Sequence, residues 1–408
     1  MGLGIKEDHK LPHVPGTVLL NDEAAHSEHQ TGNLKHGTGK NSHIVLSPQP
    51  SDDPNDPLNW SLLKKESIVW ILALGSMLCA ATNLEGPFLN ASYFAISEQI
   101  HKDLTTTVLV SGYNILAIGC CGPFVCAFSR RYGKRPVFLV STLFCIVGTA
   151  IGEVKPTYEY LLAARIVQGF STSAFESLII AVVGDLFCVH QRGLRIATIN
   201  FVLNSASSLA SIICGQVYNN LGLLWLFHLF QIFLVIQFVL MFLFCPETTY
   251  LRQTIYETDT LQLETFEQID KANKEHREQA IATKELNVPA SVAPSNIPKK
   301  KTFVQELKVY NGIFSKDNIF KWLFGMLLTL LNPAGLYVII VSGLLCAWYV
   351  GSAIILAGIF AGPPWMYNAS QIGYLGTGPF IGGMLGSIFL GICSDPVMKW
   401  MTIRNKGT

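Results

Sequence analysis

The chain has 408 residues, of which 50% are hydrophobic and only 14% charged, and its mean hydropathy is +0.37. A soluble domain carries roughly 25% charged residues, so an ordinary soluble enzyme is excluded, and the apolar content excludes a disordered chain. Lys and Arg number 29 against 28 Asp and Glu, a net charge of +1 that leaves no basic excess for a nucleic-acid partner. An all-α integral membrane protein remains, with the lipid bilayer as its surroundings.

Residues 1–66 are polar and hold six of the ten histidines (His9, His13, His26, His29, His36 and His43) at irregular gaps that present no metal-ligand pair. They read as a disordered cytoplasmic tail, with no apolar stretch near Met1 to serve as a cleaved signal peptide. From Ile68 onward, stretches reach the roughly 20 apolar residues that a membrane-spanning helix needs. Eight qualify: 68–90, 106–128, 136–154, 159–186, 196–219, 224–245, 333–358 and 371–393. The first six form a bundle over 67–245. A polar cytoplasmic loop follows over 246–320, with Glu/Lys-rich helical texture and the run Lys299-Lys300-Lys301. The last two spans and a cytoplasmic tail occupy 321–408. The apolar segment Ile319–Leu331 is too short to span and is expected at the membrane interface.

Lys and Arg in the loops set the orientation. Arg130, Arg131, Lys134 and Arg135 fall between spans two and three, Arg192 and Arg195 between four and five, and ten basic residues in the insert. The alternate loops carry only Lys102 and Lys155. Both termini are therefore expected in the cytoplasm. The sequons at Asn90 and Asn368 fall on the outer side, as glycosylation acceptors, and that at Asn59 falls inside. The ten cysteines lie in or beside apolar runs without zinc spacing, so they read as buried small hydrophobes, and no metal site is expected.

Ionisable groups within spans cost roughly 2.5–3.5 kcal/mol each on the insertion scale, so each needs a reason. The fourth span holds Arg165 and Glu176, eleven residues apart and so close to three helical turns, with Gln168 and Thr172 on the same stripe. Such a stripe faces a bundle interior or a water-filled cavity. Interhelical packing is one reading of it; a binding cavity is the other. In the fifth span Asn200, Asn204, Ser208 and Ser211 recur on one face, with the same two readings. The first span carries Glu85 before Gly86-Pro87, where a proline frees a backbone carbonyl and desolvation suits the carboxylate to a proton-coupled step. Tyr113 and Asn114 supply hydrogen-bonding groups in the second span. Trp348 and Tyr349 in the seventh offer aromatic faces for a cation, or belong to an interfacial belt. No phosphate loop, dinucleotide loop, HExxH or GxSxG motif is present, which argues against an enzyme and against a cofactor.

Several segments resemble the major facilitator superfamily. GPFVCAFSRRYGKRPV (122–137) is similar to the signature loop after helix two, with Arg130 where an aspartate is usual. LLAARIVQGFSTS (161–173) resembles the arginine-and-glycine motif of helix four, and CPETTYLR (245–252) the close of helix six. DPLNWS (56–61), SGYNILAIG (111–119) and GDLFCVHQRGLR (184–195) resemble the fungal drug:proton antiporter-like group, within it the yeast histidinol and polyamine cation type. The antiporter motif of helix five is eroded to SIICGQ (211–216).

The resemblance implies a complete N-terminal six-helix bundle and two helices of a C-terminal bundle, ending in GICSDPVMKWMTIRNKGT (391–408), which resembles the loop after helix eight. It implies proton-coupled secondary transport of small organic cations, polyamines or drugs across the plasma membrane. Glu85 and Glu176 would then bind cation or proton. Arg165, Tyr113, Asn114, Asn200 and Asn204 would line the same cavity, and Arg131, Arg135 and Asp185 would belong to the gate. Two alternatives stay open: a truncated, non-transporting fragment, and a membrane sensor of substrate.

Overall fold

The computed structural model describes residues 48–82 except 49 and 52, then 93–155, 157–251, 300–315 and 318–404. Glu85, Asn90, the tail through 47 and the insert from 252 to 299 lie outside the described residues.

Five of the six apolar runs of the N-terminal half are helical close to their expected bounds, while the first, expected over 68–90, is helical over Leu62–Thr82, with 83–92 outside the described residues. Helix α1 is Leu62–Thr82, a short α2 is Tyr93–Ile100, and α3 is Leu104–Tyr132. Helices α4 (Lys134–Val154) and α5 (Tyr158–Leu186) follow. Gly133 at φ +93° separates α3 from α4 by a single residue, a conformation that L side chains rarely adopt. The fifth span is not one α-helix. It is α6 (Val189–Asn200), a π turn (Phe201–Ala206) and α7 (Ser207–Leu221). Helix α8 (Leu223–Phe244) closes the set.

After the insert come a short α9 (Phe303–Glu306), α10 (Ile319–Leu328), α11 (Pro333–Ala361), α12 (Ala369–Tyr374) and α13 (Thr377–Arg404). Asn332 caps α11 by accepting the Ala334 N–H at 3.0 Å, with Pro333 in the first turn where its missing N–H costs nothing. Among the described residues six helical segments are long and apolar enough to cross a membrane. The pair Ile319–Leu328 and Pro333–Tyr349, bent by 85°, makes a seventh if taken as one span.

Apolar side chains from α1, α4, α5 and α8 form the core, among them Ile68, Leu72, Phe138, Phe175, Phe227 and Leu234. The Phe138 and Phe175 rings lie 5.2 Å apart. Small residues let the helices close. A Cβ on Gly169 of α5 would stand 2.7 Å from the Asn114 carbonyl oxygen of α3, so only glycine admits that approach. The C-terminal helices dock on α7 in the same manner: Gly373 and Gly376 press on the Ser211 and Ser208 carbonyls, and Gly215 on that of Ala369.

Candidate functional site

Arg165 is 2% exposed, in the third turn of α5. Its Nη1 donates to Gln168 Oε1 at 3.3 Å, and Gln168 Nε2 donates to Thr149 Oγ1 of α4 at 3.1 Å. From α3, Asn114 Nδ2 donates to the Arg165 carbonyl at 2.7 Å. Three helices are stitched through one buried polar network, as a cation at this depth requires. The Thr172 hydroxyl donates to the Gln168 carbonyl at 3.3 Å, which extends the network by one turn.

The stripe then changes character. Arg165, Gln168 and Thr172 are buried, whereas Glu176 is exposed, within electrostatic reach of the Cys79 thiol of α1. Periodicity alone put all four on one face; the neighbouring helices cover Arg165, Gln168 and Thr172 but not Glu176, although Phe175 and Ile179 beside it are buried. Tyr113 is 44% exposed although Asn114 beside it is buried, because adjacent helical residues point about 100° apart. Asn200 is exposed at the end of α6. The Asn204 backbone belongs to the π turn, and its side chain, like all of Glu85, lies outside the described residues. The structure therefore brings Asn114 and Arg165 into contact and leaves Glu176 about three turns along α5 from Arg165.

Most of the quoted sequence motifs meet at one basic end of the bundle. Glu247, just past α8, accepts the Lys134 N–H at 3.0 Å and the Arg135 N–H at 3.1 Å, and so caps α4. The Lys134 ammonium pairs with Asp185 and donates to the Ala181 carbonyl. Arg135 is buried and donates to the carbonyls of Phe242, Glu306 and Leu307 at 2.8, 2.6 and 3.1 Å. The Arg131 carbonyl accepts from the Phe314 N–H at 2.9 Å. Arg131, Arg135 and Asp185 thus share this end, and the partner that Asp185 takes is Lys134.

The remaining motifs reach the same end. Arg195 pairs with Glu66 at 2.7 Å and stacks over Phe187 at 4.5 Å, while Arg192 donates to the carbonyls of Gly184 and Phe187 that end α5. In DPLNWS, Asp56 caps a 3-10 turn and Lys65 donates to the Leu58 carbonyl at 2.8 Å. Burial lowers the Lys65 pKa, with Cys188 and Asp56 acting against it. Glu306 accepts from Lys64 at 2.7 Å. Sequence reasoning missed Glu247, Lys134 and Glu306 as members of this assembly. Glu247 and Lys134 stand inside quoted motifs, but nothing in spacing joins residues more than 100 positions apart.

Residues 69–403 match the Major Facilitator Superfamily. The chain belongs to that superfamily. Among its relatives, Uncharacterized MFS-type transporter C1271.10c of Schizosaccharomyces pombe is 25% identical over 99% of this chain and 72% of its own length. Protein HOL1 of Saccharomyces cerevisiae is 23% identical over 90% of this chain and 69% of its own. MFS antiporter QDR3 of Candida albicans is 30% identical over 56% of this chain and 31% of its own. The chain is thus an all-α membrane protein of a transporter superfamily with fungal relatives. As in the superfamily's signature loop, Gly133-Lys134-Arg135 turns the chain between two helices, and here an acid beyond α8 holds that turn.

Proposed function

We propose that the chain is a proton-coupled secondary transporter of small organic cations, polyamines or drugs. It acts in the plasma membrane with both termini cytoplasmic. The observation that carries this reading is the exposed Glu176 carboxylate on α5, two turns beyond the buried network of Arg165, Gln168 and Asn114. A rigid buried cation and a carboxylate open to its surroundings on one helix give a cationic substrate or a proton a place to exchange. The relation to MFS antiporter QDR3 of Candida albicans supports coupling to a counter-ion.

In this reading Glu85 and Glu176 bind cation or proton, and Tyr113, Asn114, Arg165, Asn200 and Asn204 line the cavity. Arg131, Arg135 and Asp185 belong to the gate at the basic end. Asn368, exposed at the first turn of α12, and Asn90 are the outer glycosylation acceptors. The bundle occupies 67–245, between a tail (1–66) and a cytoplasmic loop (246–320), with a partial second bundle over 321–408.

The test is uptake of a radiolabelled polyamine by the purified full chain in proteoliposomes, with and without an imposed pH gradient. Uptake that rises with the gradient and collapses with a protonophore is expected. Binding without flux would overturn transport in favour of a sensor, and neither binding nor flux would favour a non-transporting fragment.

A further inference from the structure

After the insert the chain returns across the basic end of the bundle, and residues 301–314 touch elements that the sequence keeps far apart. The Lys301 N–H donates to Asn55 Oδ1 at 2.8 Å, on the turn that precedes α1. Lys64 of α1, itself stacked 4.2 Å from the Trp60 ring, donates to both Glu306 carboxylate oxygens at 2.7 Å. Arg135 of α4 donates to the Glu306 and Leu307 carbonyls. The Phe314 N–H donates to the Arg131 carbonyl at the end of α3, and the Phe314 ring lies 3.0 Å from where a Cβ on Gly133 would stand.

Polar contacts rather than a core hold this segment down. Phe303, Val304, Val309, Tyr310 and Ile313 are between 40% and 75% exposed, and α9 buries none of its residues. The bond at Asn55 is exposed, and the Lys64–Glu306 pair is partly open to solvent, a setting in which an ion pair contributes little. A segment with few buried apolar contacts and exposed hydrogen bonds opens locally far more often than a packed helix. Arg135 is the opposite case, at 4% exposed. The other carbonyl it bonds, that of Phe242, belongs to α8, so two of its three described acceptors lie on the weakly held segment. A buried cation that loses those two must move toward water or take new partners.

We infer that residues 301–314 are a releasable clasp on Arg135. Closed, the clasp ties the starts of α1 and α4 and the end of α3 together and fixes the guanidinium. Open, it gives the guanidinium to solvent and parts from the turn at Gly133. The contact with Lys64 is its latch, because the carbonyls that hold Arg135 are those of Glu306 and the residue after it. The inference rests on the assignment of Arg135 to the gate, and it names the segment that regulates that gate.

Hydrogen exchange and a reversible lock test the clasp separately. In the purified full chain, the bonded amides of 303–314 should exchange about tenfold or more faster than those of α5. Lys64→Gln should speed them several-fold again and leave α5 unchanged. Exchange as slow as in α5, or unmoved by Lys64→Gln, would overturn release at the latch. For the lock, the contact between Lys301 and Asn55 brings the two backbones within reach of a disulfide. Asn55→Cys/Lys301→Cys is oxidised in proteoliposomes supplied with a radiolabelled polyamine, and the cross-link is mapped by mass spectrometry. Uptake at least fivefold below that of the reduced form, restored by reduction, is expected, with no effect of oxidation on the unaltered protein. Full uptake by the cross-linked variant would overturn a role in gating, and failure to cross-link would contradict the contact itself. If the unaltered chain takes up nothing, the transport reading fails, and the exchange result alone decides whether the clasp releases.

Discussion

Glu247 and Lys134 stand 113 residues apart in the chain, yet the Glu247 carboxylate accepts the Lys134 N–H that opens α4. The same carboxylate takes the N–H groups of Arg135 and Thr249 at 3.1 and 2.9 Å. Gly133, at φ +93°, is part of this arrangement, because a Cβ there would lie 2.4 Å from Glu247 Oε2. The turn between α3 and α4 and the end of α8 are therefore one unit.

Removing the cap should be felt as a loss of stability. Glu247→Ala is expected to cost about 1–2 kcal/mol, as the loss of a helix N-cap does, and Glu247→Gln less, since an amide oxygen still accepts. Thermal unfolding of the purified protein in detergent checks the order. Equal midpoints for all three proteins would show that the cap contributes nothing.

Gly169→Leu tests the approach of α3 to α5. The new side chain would meet the Asn114 backbone, which cannot move aside without lifting Asn114 from Arg165. Overpacking of this kind costs about 1–3 kcal/mol. Lower yield of monodisperse protein and a lower unfolding midpoint are expected, and an unchanged midpoint would contradict so tight a contact.

Lys134 and Asp185 pair across α4 and α5 with both side chains partly open to solvent. Asp185→Asn should change stability by less than about 1 kcal/mol. In the gate assigned to this end it should nonetheless alter the uptake rate several-fold. Lys134→Gln should give a similar change, and the double variant no more than either alone. Additive effects in uptake would mean that the two side chains act separately.

Glu176→Gln keeps the shape of the side chain and removes its charge and titration. Loss of at least tenfold in proton-driven uptake, with normal expression and an unchanged unfolding midpoint, is expected for a binding group. Glu85→Gln should uncouple uptake from the pH gradient. Full proton-coupled uptake by either variant would remove that residue from the site.

The spans were legible because a bilayer demands length: runs such as Leu223–Phe244 have no soluble counterpart. The stripe of Arg165, Gln168 and Thr172 was legible for a similar reason, since buried polar groups recur at helical spacing. Neither rule says where a neighbouring helix stops covering the stripe, so the contrast between buried Thr172 and exposed Glu176 came only from packing. Likewise, the period joining Asn200, Asn204, Ser208 and Ser211 assumed an unbroken α-helix. The backbone between Phe201 and Ala206 takes a π turn instead. The engagement of Glu306 by Lys64 depends on a return of the chain across 242 residues, which no local pattern encodes.

The π turn has a mechanical consequence. It holds one residue more than an α turn, and restoring α geometry there would rotate everything beyond it by about 100° around the axis. Upstream, Arg195 anchors α6 to Glu66. Downstream, Ser208, Ser211 and Gly215 carry α12 and the turn after it, whereas α13 also packs on α6 and on the π turn, where Phe201 faces Phe380 at 6.3 Å. The fifth span is thus a jointed shaft, clamped at its basic end and bearing α12 beyond the joint while α13 lies along the joint itself, so a one-residue slip between 201 and 206 would shift α12 against α13.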